Sequence, residues 1–278
     1  GVSKTALSTI LYTCRCEIDL INDNHDAFFG GQLPSPSLDT LSELKEIIRL
    51  GSYDLAIATD GDADRIGIID EKGQFIHPSI LIALIYQYLL EEKKLSGPAV
   101  RNLTTSHIID AIAKKHNQNV IEVKVGFKNI SLAMEKYDAL IGGESSGGFT
   151  VAGHIMGKDG IFAAILILEM LAVSKKSMSQ LTDSLFEEYG EFHTVERNYH
   201  LKKDKIIKVE SKLNYYLEKK NEKDFKIKRI DGIKLQYQDN SWICVRKSGT
   251  EPLLRIIAEA STAAKANKLI NKVEKIIF

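Results

Sequence analysis

The spacing of apolar positions divides the chain into stretches of different rhythm. Residues 3–13 carry helical spacing, and residues 16–21 (CEIDLI) alternate as a strand does. Gly30, Gly31, Pro34 and Pro36 make residues 26–39 a loop. Residues 41–50 return to helical spacing and stop at Gly51. Residues 53–58 (YDLAIA) form a short apolar run, expected as a buried strand, and residues 66–70 (IGIID) form the next, with a turn at Lys72-Gly73. A new unit starts near Gln74. A long helix follows from Pro78 or Ser79; strands at 99–103, 120–123 and 139–141 alternate with helices at 106–116 and 129–137, and another helix starts near Asp159. Alternation of this kind predicts a mostly parallel sheet with helices on both faces, whose ligands gather at the C-terminal strand ends. After Gly190 come a strand (192–201), a helix (204–218), the charged turn KKNEKD, four strands in quick succession (226–230, 233–237, 242–246, 253–259) and a last helix (262–276). That order predicts a small α+β domain with an antiparallel sheet. The fold class is therefore read as α/β, with mixed, mostly parallel sheets covered by helices, plus a C-terminal α+β domain. Domains are expected at 1–73, 74–189 and 190–278.

Composition narrows the function. With 278 residues and 44% hydrophobic content the chain can build one large core or two to three small ones. Lys plus Arg is 37 and Asp plus Glu is 37, so the net charge is zero. Nucleic-acid or acidic-membrane binding draws on a basic surplus that this chain lacks. Cys14, Cys16 and Cys244 offer no disulfide framework and suit a reducing cytosol. Cys14-Arg15-Cys16 reads as two small side chains on one strand face or, less simply, as a metal pair. The apolar runs IFAAILIL and SILIALIYQYLL are too short to span a membrane, and residues 1–14 have no secretory pattern. A soluble, intracellular protein is expected.

The densest chemistry lies at a strand end. Asp60, Asp62 and Asp64 alternate with Gly61 and Ala63, and three carboxylates this close repel unless a cation sits among them. Hard oxygen ligands favour Mg²⁺ or Ca²⁺. Arg65 follows at once and would face an anion held by the metal. An EF-hand loop also starts D-x-D-x-D, but Arg65 stands where that loop needs Gly and the flanks read as strands. A phosphatase with Asp60 as nucleophile is a further alternative.

A second constellation is Arg246-Lys247-Ser248-Gly249-Thr250-Glu251-Pro252, with Arg255 on the strand after it. Cations, hydroxyls and the N–H groups of a Gly turn suit a phosphate. A third is Gly142-Gly143-Glu144-Ser145-Ser146-Gly147-Gly148, where Glu144 and Ser146 could meet vicinal sugar hydroxyls; an ordinary structural turn is equally open. Lys128 and Lys158 bring cations to the same sheet edge. His154 lies between the Gly-rich turn and Lys158 and is either structural or a substrate contact.

DGDADR, GFK, GGESSGG with GHIMGKDGI, and RKSGTEP occur in the order found in the α-D-phosphohexomutases (phosphoglucomutase and phosphomannomutase), and the chain resembles that family over nearly all its length. The resemblance implies that Asp60, Asp62 and Asp64 bind Mg²⁺, that Arg65 lies beside the metal and the transferred phosphoryl group, that Glu144 and Ser146 contact sugar hydroxyls, and that Lys128 contacts substrate. It also implies that Arg246, Ser248, Gly249 and Thr250 grip the non-reacting phosphate, with Arg255 beside them. The implied reaction moves phosphate between the 1- and 6-positions of a hexose phosphate, through a phosphoserine and a hexose 1,6-bisphosphate. The implied partners are hexose phosphates, with no nucleic acid or membrane; oligomeric state is left open, and a cytoplasmic place is expected.

The family's serine loop, T-A-S-H-N-P, does not occur in this chain. Thr105-Ser106-His107 is followed by Ile108-Ile109, and Ser106 reads as a helix cap. The sequence is thus expected to hold the end of the second family domain with the third and fourth, and to be inactive alone. Phosphoglucosamine mutases and many dual-specificity enzymes carry His where Gly148 stands, which favours glucose or mannose over glucosamine. A non-catalytic phosphosugar-binding module is the remaining alternative.

Overall fold

The computed structural model describes residues 1–219, 225–249 and 252–278. Helix α1 (Ser3–Thr13) and helix α2 (Ser42–Leu50) flank a long irregular stretch, broken by a short 3-10 turn at Phe29–Gly31. Residues 16–21 do not form the expected strand. They alternate correctly, but the neighbouring sheet has the order β1-β2-β3 and pairs only with itself, so these residues find no ladder. Strands β1 (Leu55–Thr59), β2 (Ile66–Asp70) and β3 (Phe75–Ile76) form an antiparallel meander. β1 is only partly buried, whereas every residue of β2 is buried. Asp70 closes the β2–β3 turn by accepting the Lys72 and Gln74 N–H groups.

The parallel sheet follows. Helix α3 (Pro78–Glu91) starts with Pro at its first position and His77 Nδ1 accepting the Ser79 N–H. Then come β4 (Ala99–Asn102), α4 (Ile108–Lys115), β5 (Val120–Val123), α5 (Phe127–Tyr137), β6 (Ile141–Gly143), β7 (Phe149–Val151), α6 (Gly160–Ser174) and α7 (Met178–Tyr189). The sheet order is β5-β4-β6-β7; β4 runs parallel to both neighbours and β7 antiparallel to β6. Helix α4 has His107 at its N-cap with no side-chain cap bond, one residue later than expected; the Ser106 hydroxyl still accepts the Ile108 N–H (3.1 Å). Ile66, Ile68 and Ile76 share one core with α3, α4, α6 and α7. The acidic hairpin is therefore built into the parallel unit.

The last unit has β8 (His193–His200), α8 (Lys203–Glu218), β9 (Phe225–Lys228), β10 (Ile233–Tyr237), β11 (Trp242–Lys247), β12 (Leu253–Ala260) and α9 (Ala263–Ile277). The sheet order is β8-β12-β11-β10-β9, antiparallel throughout, with α8 and α9 closing a second core. Among the described residues, no helix is long and apolar enough to cross a membrane.

The two sheets meet across a buried polar joint. Lys234, fully buried on β10, donates to the Leu103 carbonyl (2.5 Å) and to Glu122 (3.0 Å), and lies over the Trp242 ring. Glu122 also takes Lys228 (2.8 Å) and the buried Arg101 (2.7 Å), whose other face binds Asp110. Glu259 accepts both the Trp242 indole N–H (2.8 Å) and the His107 backbone N–H (2.9 Å). Burial opposes ionisation of Glu122, but Lys234, Arg101 and Lys228 overcome it and hold its pKa at about 2. Burial pushes Lys234 down to about 8. His107, buried beside Arg101 and Lys234, is held well below its usual value and is neutral.

Because the folded pKa of Glu122 lies below its ordinary 4.5, its contribution is complete above that pH and fades as pH falls toward 2. Glu122→Gln leaves Lys234 and Arg101 buried without their common anion. It should lower unfolding free energy at neutral pH by about 3 kcal/mol and flatten the acid limb of stability. Urea unfolding at a series of pH values checks both; an unchanged curve would show that the joint is not ionic.

Candidate metal and phosphosugar site

The acidic loop connects β1 to β2, so its flanks are antiparallel strands and not the helices of an EF-hand. Asp60 is 2% exposed and has both oxygens engaged: Arg65 donates its backbone N–H to Oδ1 (3.0 Å) and its Nε to Oδ2 (2.5 Å). Ala63 takes a left-handed φ of 60°, which folds the loop back. Asp60, Asp62 and Asp64 each bring one oxygen to within 4.8 Å of the others.

Two close backbone approaches fix this loop. The Gly160 N–H donates to the Ala63 carbonyl (2.8 Å), and a Cβ at Gly160 would meet the Ala63 and Arg65 carbonyls at 2.8 Å. The Ile66 N–H donates to the Gly147 carbonyl (3.1 Å); Gly147 has φ +100°, and a Cβ there would lie 2.6 Å from Ile66 O. The start of α6 and the Glu144 turn thus both press on the acidic loop.

The electrostatics are uneven. Burial opposes the charge on Asp60, but the Arg65 N–H and guanidinium hold its pKa below the usual carboxylate value. Burial raises that of Asp64; Lys158, at 2.5 Å, pulls the other way, and Asp60 adds to the rise. Asp64 Oδ1 is buried, lies 3.6 Å from Arg65 Nε, and has no hydrogen-bond partner among the described residues. Three converging carboxylates fit a hard divalent cation.

At the C-terminal edge of the parallel sheet, Glu144 is buried and its Oε1 accepts the Gly126 N–H (2.7 Å) and the Asn102 amide (3.1 Å). Asn102 Oδ1 in turn takes the Thr104 N–H and the hydroxyls of Thr104 and Thr105, each at 2.9 Å. Ser146 is exposed at the tip of the turn. Lys158 lays its stem where a Gly148 side chain would stand, with Cδ 2.2 Å from that position. Lys128 is exposed on the first turn of α5. His154 bonds to Asp159 (3.0 Å), which caps α6, and stacks on Phe162 at 3.8 Å.

On the antiparallel sheet, Arg246 stands opposite Arg255 in the β11–β12 register. Arg246 is nine-tenths buried, with Nη2 on Asp231 (3.2 Å), while Nε has no partner among the described residues. Arg255 pairs with Glu196 at 3.5 Å, and the Ser248 N–H donates to the Leu253 carbonyl (2.7 Å). A Cβ at Gly249 would meet nothing within 4 Å among the described residues. Thr250 lies outside the described residues.

The models for phosphoglucomutase/phosphomannomutase match three consecutive parts of the chain: alpha/beta/alpha domain II at residues 1–73, alpha/beta/alpha domain III at 77–189 and the C-terminal domain at 195–276. The chain belongs to the phosphoglucomutase/phosphomannomutase family. It is 34% identical over 270 residues to a phosphoglucomutase/phosphomannomutase of Thermococcus kodakarensis, covering 97% of this chain and 57% of that protein. It is 34% identical over 278 residues to a phosphoglucosamine/phosphogalactosamine mutase of Sulfurisphaera tokodaii, covering 99% of this chain and 60% of that one. The solved open form of the Paramecium phosphoglucomutase parafusin superposes with a TM-score of 0.78 at 25% identity, covering 99% of this chain and 55% of its own. The chain therefore spans little more than half the length of these relatives, and domain I of the phosphohexomutases is not among its 278 residues.

The acidic loop, the Glu144 turn and Lys158 come together as the sequence suggested. Asn102, Thr104, Glu122 and Asp231 were not singled out from sequence. The run Asn102-Leu103-Thr104-Thr105, polar and directly after an apolar strand, is the signal that could have found the first two. Asp231 and Glu122 carry no local signal, because their partners lie far along the chain.

Gly147→Ala combines a strained φ with a clash against the Ile66 carbonyl. It should cost about 2 kcal/mol. Thermal unfolding measures this, and a midpoint equal to that of the natural chain would mean that the turn is free to shift away from β2.

Proposed function

We propose that these residues are the metal-, sugar- and phosphate-binding part of a magnesium-dependent phosphohexomutase, which moves phosphate between the 1- and 6-positions of a hexose phosphate. The convergence of Asp60, Asp62 and Asp64 beside the Glu144 turn is the observation that carries this most strongly. Residues 1–73 would supply the metal loop, 74–189 the sugar contacts and 190–278 the phosphate contacts.

Asp60, Asp62 and Asp64 would hold Mg²⁺, which when bound supplies positive charge against a phosphoryl group. Arg65, tied to Asp60, keeps its guanidinium beside that group. Glu144 is buried and fixed by two donors, so a sugar hydroxyl would meet a carboxylate already oriented. Ser146, Lys128, Lys158 and His154 complete the proposed contacts to substrate. Arg246, Ser248, Gly249, Thr250 and Arg255 would hold whichever phosphate is not reacting, so that both orientations of a hexose 1,6-bisphosphate are accepted. Phosphoryl transfer of this kind depends chiefly on position and on charge stabilisation. The serine that carries the transferred group would come from outside these residues.

For the sugar, Gly148 favours glucose or mannose over glucosamine, because it stands where the resemblance places His in phosphoglucosamine mutases; Lys158 occupies the space that a side chain there would need. The relatives include both classes, so the three monophosphates should be compared directly. These 278 residues are expected to bind glucose 6-phosphate weakly, to bind Mg²⁺ in a manner lost on Asp62→Asn, and to convert no glucose 1-phosphate. Calorimetry and a coupled mutase assay check these together. Turnover that survives purification and disappears on Asp62→Asn would show that the serine is not required. Phosphate release with Asp60 trapped by beryllium fluoride would favour a phosphatase instead.

A further inference from the structure

Two neighbouring backbone N–H groups at the end of β5 are each taken by a carboxylate from a different unit. The Gly126 N–H goes to Glu144 Oε1 (2.7 Å), on the sugar side. The Val125 N–H goes to Asp231 Oδ2 (3.2 Å), which comes from the turn before β10 in the antiparallel sheet. The same Asp231 oxygen accepts Arg246 Nη2 (3.2 Å). The turn that carries Asp231 has little freedom. Gly232 has φ +84°, and a Cβ there would lie 2.4 Å from the Val245 carbonyl and 2.7 Å from Arg246 Cβ. Asp231 is therefore locked against the strand that bears Arg246.

We propose that Asp231 is a positioning residue that aims the Arg246 guanidinium and couples the phosphate loop to the sugar turn. Asp231 engages Nη2, and Nε is buried without a partner among the described residues, so an anion would meet the guanidinium through its remaining Nη N–H groups. With Nη2 fixed, the guanidinium plane is set before a phosphate arrives, which lowers the ordering cost of binding. Through Val125 the same carboxylate holds the peptide next to Gly126, whose N–H orients Glu144. Arg246, Asp231, Val125, Gly126 and Glu144 form a continuous chain of contacts from the phosphate site to the sugar site, and Lys128 lies two residues beyond Gly126.

This rests on the phosphate-binding role proposed above for Arg246, and the test separates the two. Calorimetric titration with glucose 6-phosphate is run on the natural chain, Arg246→Ala, Asp231→Ala, Asp231→Asn and the double variant Asp231→Ala/Arg246→Ala. A hydrogen bond to a charged group predicts about tenfold weaker binding for Asp231→Ala. Asp231→Asn keeps an oxygen acceptor and should lose about threefold by the same measure. The double variant should lose less than the two single losses added together, because part of the effect of Asp231 runs through Arg246. Thermal midpoints of the Asn variant should stay at the natural value, which separates positioning from a structural role. Natural affinity in both Asp231 variants, or losses that add to that of Arg246→Ala, overturns the coupling while leaving the phosphate site standing. If Arg246→Ala binds as well as the natural chain, or the natural chain binds no glucose 6-phosphate, the phosphate-site role falls and this proposal with it.

Discussion

The arrangement depends on how a buried cation is neutralised. Lys234 points from the antiparallel sheet into the C-terminal edge of the parallel sheet, where Glu122 and the Leu103 carbonyl receive it. An ammonium with no solvent around it needs such partners, and they exist only when the two sheets are docked in this register. Arg101 and Lys228 share Glu122, so moving one member unbalances the others. The joint brings the strand that bears Arg246 against the loops that end β4 and β5. In this way one cluster of charges sets how the Arg246 strand lies against the ends of β4 and β5.

A second constraint acts on the other flank. The acidic hairpin could not hold three carboxylates together by its own preference, since they repel. Its shape comes from Arg65 folding back on Asp60 and from the two backbone contacts at Gly147 and Gly160. Both glycines sit where a side chain would strike a carbonyl, so the sequence patterns GGESSGG and KDG report a packing requirement. Lys158 serves both neighbours: its ammonium meets Asp64, and its stem occupies the place beside Gly148.

Much of this was legible from the chain alone, for physical reasons. Motifs that crowd charges or glycines into a few residues announce themselves, as DGDADR and RKSGTEP did. Long elements with clear periods, such as α3, α9 and the β10–β12 run, were also readable. Residues 16–21 misled because alternation describes a strand but does not supply its partner. Strand β7 was missed because three residues are too few to show a period. Helix α7 was missed although its start carries a reciprocal cap between Ser177 and Gln180, a signal available in the sequence. Glu122, Lys234 and Asp231 were out of reach because their roles arise from contacts between residues more than a hundred positions apart.

The central claim is that the acidic loop and the Arg246 loop serve one bound molecule. The most direct measurement is the relaxation of the ³¹P signal of glucose 6-phosphate when Mn²⁺ is added to the chain as a paramagnetic stand-in. The account predicts marked enhancement that disappears in Asp62→Asn, where the ion is lost, and in Arg246→Ala, where the phosphate is lost. An enhancement unchanged by either substitution, or none despite measurable binding of both ion and sugar phosphate, would mean that the two loops do not share a ligand.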